Sequence, residues 1–154
     1  MLIPGRSYTP EQLLPHAGRM CLLDCIEGYG EDWLRAGVDV DARGLFGGDD
    51  GSVPSWIGVE YMAQTVAAYA GIECLQKERP VSIGMLIGTR RYEAAVPVFN
   101  VGWRLDVTVR LLLRDGDELA AFDCRIEHGE RELVRGDVKA FRPADIDEFM
   151  RNRR

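Results

Sequence analysis

Pro54-Ser55-Trp56-Ile57-Gly58-Val59-Glu60-Tyr61-Met62-Ala63-Gln64-Thr65-Val66-Ala67-Ala68-Tyr69-Ala70-Gly71-Ile72, running on to Gln76, is the stretch on which the fold turns. Pro54 is tolerated in a first helical turn, where its missing N–H would be unpaired anyway, and Ser52 or Ser55 can cap the start. From Trp56 to Ile72 nearly every position is apolar or small. A helix with no proper solvated face must be buried on most sides. The run is slightly short for a membrane span and carries Glu60, Gln64 and Thr65, so no membrane segment is expected.

Outward from this helix the pattern is β. Upstream, Thr9-Pro10-Glu11-Gln12 reads as a short helix start that Pro15 cuts off. Residues 20–26 are apolar enough for a buried strand, residues 28–32 supply a turn, and residues 33–40 read as the returning strand. Residues 41–52 hold Gly44, Gly47, Gly48 and Gly51 and read as a loop, where backbone without side chains can approach a ligand. Downstream, residues 81–91 form a candidate strand, and residues 92–102, with Pro97, an irregular crossing. Residues 103–114 alternate, with Trp103, Leu105, Val107, Val109, Leu111 and Leu113 expected inside. Asp115-Gly116-Asp117 turns the chain into residues 119–127, and His128-Gly129-Glu130 turns it again into residues 133–141. A short terminal helix is expected over residues 145–154. The order is hairpin, one long helix, then three or four antiparallel strands. A sheet with one apolar face needs a cover, and one greasy helix is the cover available. The expected class is α+β: an antiparallel sheet wrapped around one long central helix, the hot-dog fold, as a single domain over residues 1–154.

Composition narrows the function classes. The chain has 154 residues, enough for one domain with a substantial core, with 46% hydrophobic and 29% charged residues. Its formal net charge of -6 argues against a nucleic-acid partner, which needs a basic footprint. Cys21, Cys25, Cys74 and Cys124 show no metal-ligand spacing, and no metal is expected. The N-terminus lacks a basic region followed by an apolar run, so no signal peptide is read. A cytoplasmic protein with reduced thiols is the expectation.

Glu60 is the first candidate for chemistry. It lies one turn into the helix, and Gln64 shares its face four residues on. An isolated buried carboxylate raises its own pKa, which is how a general acid or base is tuned. The competing reading is a structural carboxylate near a helix N-terminus, where the dipole favours negative charge. His16, at the entrance to the first strand, reads from the residues alone as a surface or hydrogen-bonding group. His128, in an expected hairpin turn, is given no catalytic role. Arg90, Arg91, Arg104, Arg110 and the tail from Arg151 to Arg154 read as solvated strand faces and terminus, or else as a docking surface for an acidic partner.

Leu14-Pro15-His16, then Met20-Cys21-Leu22-Leu23-Asp24, then Val53 through Gln64 with its Glu-x-x-Ala-Gln piece, resemble the 3-hydroxyacyl-carrier-protein dehydratases. Within them the chain looks closest to the aryl-polyene-type branch. The likeness is strongest over residues 14–72. It implies a hot-dog dimer with sites at the subunit interface, made with itself or with another hot-dog subunit. It also implies acyl-carrier-protein or CoA thioester substrates and no metal or organic cofactor. The family's helix acid maps onto Glu60, the amide that polarises the thioester carbonyl maps near Ser55 and Trp56, and Gln64 lies beside the acid as a substrate-binding candidate. One departure matters: the fatty-acid enzymes carry His-Phe-Pro-Gly before this helix, whereas this chain has Leu45-Phe46-Gly47-Gly48. His16 therefore serves as the base, or a partner subunit lends a histidine, or the chain does not catalyse. Dehydration of a 3-hydroxyacyl thioester by His16 and Glu60 is the leading expectation. A non-catalytic or half-catalytic subunit of a heteromeric dehydratase, and an acyl thioesterase, are the alternatives.

Overall fold

The protein, analysed as a computed structural model, is described over residues 2–14, 21–41, 48–79, 86–116 and 118–141. His16, Leu45-Phe46-Gly47 and the terminal helix expected over residues 145–154 lie outside the described residues. A short helix, α1 (Pro10–Leu13), precedes a hairpin of β1 (Cys25–Tyr29) and β2 (Trp33–Asp39). The two-residue strand β3 (Val53–Pro54) leads through a 3-10 turn (Ser55–Ile57) into the long helix α2 (Gly58–Gln76). Three short strands follow, β4 (Leu86–Gly88), β5 (Tyr92–Ala94) and β6 (Val98–Phe99). The chain then meanders through β7 (Arg104–Asp115), β8 (Leu119–His128) and β9 (Arg131–Phe141).

Every strand pairing is antiparallel. The main sheet runs β1-β2-β7-β8-β9-β4, with β5 also paired to β9, while β3 and β6 form a separate small ladder. α2 packs against β2, β7, β8 and β9, so the sheet covers the helix as the hot-dog arrangement requires. Leu34, Leu105, Val107, Val109, Phe122, Ile126 and Val138 point inward from alternate strand positions and meet Met62, Val66, Tyr69 and Ile72 of α2 in one core. Each such side chain contributes about 1.5–3 kcal/mol on burial. Tyr69 packs its ring edge-to-face on Phe122, with centroids 5.3 Å apart. Gly71 lets α1 lie directly on α2, since a Cβ there would stand 2.6 Å from the Leu13 carbonyl oxygen.

Several expectations shift. The first strand begins at Cys25 rather than residue 20 and carries a bulge between Ile26 and Gly28. Residues 21–24 instead run beside α2 and β2, with the Leu22 and Asp24 amides bonded to Gln64 and to the Gly37 carbonyl. In β7 the register slips between Leu111 and Leu113. A bulge exchanges the faces of a strand, and Leu113, expected inside, is 63% exposed beside an equally exposed Leu112. Neither serine caps α2: Ser52 bonds Asp50, and the helix opens through the 3-10 turn without a side-chain cap. The crossing over residues 92–102 is partly ordered into β5 and β6.

Candidate active site at the start of the long helix

The local chain fixes where α2 begins. Val53 and Pro54 pair with Phe99 and Val98, and the Ser55 amide donates to the Pro97 carbonyl at 3.0 Å. Phe99, fully buried, stacks on Tyr61 of α2 with ring centroids 6.0 Å apart. The helix start is thus tied to the crossing segment from both sides. From there the 3-10 turn carries Trp56, and α2 carries Glu60 and Gln64, at a four-residue spacing.

The sheet takes the other faces of the helix. Trp56 is 66% exposed, Glu60 is exposed, and Val59, Ala63, Gln64, Ala67 and Ala70 are half-buried. This corrects the expectation of an isolated buried carboxylate; the helix itself is buried on most sides, as its composition requires. Glu60 looks outward from the protomer, and its neighbour is polar: the Gln64 Nε2 donates to the Glu60 Oε1 at 3.2 Å. The other end of the same amide accepts the Leu22 N–H at 2.8 Å. Gln64 therefore spans the acid and the segment that follows His16, an orienting role beside the substrate-binding one expected of it. The Ser55 amide, expected as an oxyanion donor, is occupied by Pro97. Among the described residues no backbone carbonyl outside the helix receives the Trp56 amide.

Tyr92 was not legible as a site residue. Its hydroxyl donates to the Ser55 carbonyl, directly under the first turn. Burial pushes this phenol up from its ordinary range, and pushes Tyr61 up to about 12, with the Asp24 carboxylate adding to the latter. The carboxyl of Asp24 is itself raised by burial, although it accepts the Asp39 amide at 2.6 Å.

Two further charged candidates, Arg104 and Arg110, are absorbed structurally, and the tail from Arg151 to Arg154 lies outside the described residues. Arg104 pairs with Asp39 at 2.9 Å and Glu27 at 3.1 Å, and Arg110 with Asp32 at 3.4 Å, so these two read as sheet-face braces. His128 ends β8 rather than sitting in the turn. It stacks on Trp103 with centroids 4.6 Å apart and places its Nδ1 3.2 Å from the Arg104 carbonyl. All four cysteines are free thiols. Among the described residues no three His, Cys, Asp or Glu side chains converge as a metal site, and no helix is long and apolar enough to cross a membrane.

What such an arrangement can do is acid–base chemistry on a carbonyl compound: an oriented carboxylate, an N–H donor one turn away, and an open stripe between them. Known proteins share this architecture. The dehydratase heterocomplex ApeI:P from Xenorhabdus doucetiae contains a chain of the same architecture. The TM-score is 0.87 and the identity 25%, covering 97% of this chain and 100% of that one. A single-residue variant of the HP0420 homologue from Helicobacter felis shares the fold at TM-score 0.67 and 10% identity, over 93% of this chain and 90% of that one. The PaaI protein of the E. coli phenylacetic acid degradation operon shares it at 0.52 and 15%, over 76% and 81%. No functionally curated protein matches the chain. The ApeP-like family model, described as ApeP dehydratase, matches residues 8–151. With nearly the whole chain inside that match, and a sheet-wrapped helix bearing an oriented carboxylate at its start, the chain belongs to the ApeP-like family of hot-dog dehydratases.

Proposed function

We propose that this chain removes water from 3-hydroxyacyl thioesters carried on an acyl carrier protein, acting beside a second hot-dog subunit. The observation that carries the reading is the Glu60 carboxylate, in the first turn of α2 and oriented by the Gln64 amide. Loss of water across C2 and C3 needs three things. A base takes the C2 proton, donors hold the charge that develops on the thioester oxygen, and an acid gives its proton to the departing C3 hydroxyl. Glu60 is the acid. The Trp56 N–H at the helix start is the donor, and a histidine is the base. His16 fills that role in this chain's own sequence, whereas Leu45 stands where the fatty-acid enzymes carry theirs.

The second subunit has its own support. An acid–base site works best with water excluded, yet the stripe of Trp56, Glu60, Ala63, Gln64 and Ala67 is only partly covered in the protomer. Small side chains at Ala63, Ala67 and Ala70 leave room for a close neighbour. The similar chain in the ApeI:P assembly belongs to a heterocomplex of dehydratase subunits. A half-catalytic role, in which the partner supplies the histidine, is the second reading, and Leu45 is what favours it.

The test is hydration of a 2-enoyl thioester, followed by loss of the conjugated absorbance, using the chain alone and co-expressed with a second hot-dog subunit. Glu60→Gln lowers turnover by about 10²–10⁴-fold in whichever form is active. Wild-type turnover by the Glu60→Gln protein removes this residue from the chemistry. Activity confined to the co-expressed form, and lost on His16→Ala or kept, decides which chain provides the base.

A further inference from the structure

We infer that Tyr92 is a positioning residue for the dehydration: by donating to the Ser55 carbonyl it orients and polarises the Ser55–Trp56 peptide unit, whose N–H is the donor to the thioester oxygen. This rests on the reading of the Trp56 amide given above and adds a residue to it.

The geometry is specific. Tyr92 lies on β5, opposite Gly136 of β9, and reaches a backbone carbonyl 37 residues away in the chain. The same Ser55 oxygen also accepts the Gly58 N–H, so both of its lone pairs are engaged. The Ser55 N–H is held by Pro97 at 3.0 Å, which pins the residue from the other side. A trans peptide points its C=O and N–H in opposite directions within one plane, and the chain has no cis bonds among the described residues. With the carbonyl anchored by Tyr92 and Gly58, the Trp56 N–H is directed away from those two donors. A hydrogen bond received by a peptide oxygen also increases the C–N double-bond character and makes the attached N–H a stronger donor.

Two glycines make room for this contact. A Cβ at Gly58 would fall on the Tyr92 hydroxyl and 2.8 Å from Ile126 Cδ1. A Cβ at Gly136 would stand 2.6 Å from the Arg91 carbonyl oxygen and 3.0 Å from Met62 Cε, pushing β5 off the helix. Burial keeps the phenol protonated and donating through the neutral range.

Tyr92→Phe removes one oxygen and leaves Ser55 bonded to Gly58, so the fold survives and the effect is readable. The expected result is a fall in kcat of about tenfold with KM nearly unchanged, smaller than the 10²–10³ seen when an oxyanion donor is deleted outright. The Trp56 amide proton resonance shifts upfield in the same variant. A purely structural Tyr92 would lower the Tm and leave kcat unmoved. Wild-type kcat in Tyr92→Phe, in a preparation that Glu60→Gln inactivates, overturns the inference and leaves the dehydratase reading standing. If the wild-type assembly dehydrates no thioester, that reading fails instead. The Trp56 resonance then decides the present point: a shift supports the polarised peptide, and an unmoved signal rejects it.

Discussion

A methyl group added at Gly58 would meet the Tyr92 hydroxyl, Ile126 Cδ1 at 2.8 Å and the Phe99 ring at 3.3 Å. Intrinsic preference favours alanine over glycine inside a helix by about 1 kcal/mol. Forcing an extra carbon into a packed site costs about 1–3 kcal/mol, and here two of the three neighbours are buried core side chains. Gly58→Ala is therefore expected to destabilise the protein against its helix propensity, by a net of up to about 2 kcal/mol in urea titration. It should also lower turnover, because the group displaced first is the Tyr92 hydroxyl. The glycine was visible in the sequence as one small residue among many. Its neighbours come from positions 92, 99 and 126, which no local pattern brings together.

At the scale of elements, α2 shows how far patterning reaches. A greasy run of this length announces a buried helix, and the sheet does bury Tyr61, Met62, Val66, Tyr69 and Ile72. The pattern does not say which stripe the sheet leaves open, because Ala63, Ala67 and Ala70 look as buriable as Ala68. The C-terminal half holds a second feature of this kind. Glu73 is buried and pairs with Arg114 of β7 at 3.0 Å, while the Arg114 Nε is buried with no partner. Removing one member of a buried pair takes away much of what offsets the burial of the other charge. Arg114→Met is expected to lower stability by about 3 kcal/mol, measured as a shift of the denaturation midpoint. Adding Glu73→Leu to that variant should recover most of the loss, since a well-packed apolar pair replaces an ion pair at little cost. If the double variant is no better than the single one, the lost Arg114–Glu73 pair is not the cause. Arg114 faces the helix only because the bulge between Leu111 and Leu113 flips the end of β7.

Across the whole molecule, the outer face of the sheet is braced by ion pairs that join strands far apart in sequence. Arg104 of β7 reaches Glu27 of β1 and Asp39 of β2, and is held protonated, first by its hydrogen bond to Asp39. Glu27 is raised above its ordinary value of 4.5, first by burial and then by the hydrogen bond it shares with Asp106. A carboxyl raised in the folded state binds its proton more tightly there than in the unfolded chain. Its contribution to stability is thus full below the unfolded value and lost as the pH rises through the folded one. Wild type should accordingly gain stability relative to Glu27→Gln as the pH falls from neutral into the range just above 4.5. Thermal unfolding of both proteins across that range checks it, and a constant difference would refute the assignment.

What the amino-acid order settled by itself is whatever depends on near neighbours. One long buried helix, the strands of the β7–β8–β9 meander, and the Gly116 and Gly129 turns with φ of 64° and 61° all follow from spacing and turn chemistry. The Pro-led helix start with Glu60 and Gln64 on one face belongs to the same group. Tertiary structure decided the exposure of Glu60, the turning of Leu113 to solvent, the capture of Arg104 by two acids, and the meeting of Tyr92 with Ser55. These depend on strand register, on a bulge and on which helix face the sheet covers. Periodicity along the chain repeats every two or 3.6 residues, and it is silent on how segments tens of residues apart are set against one another.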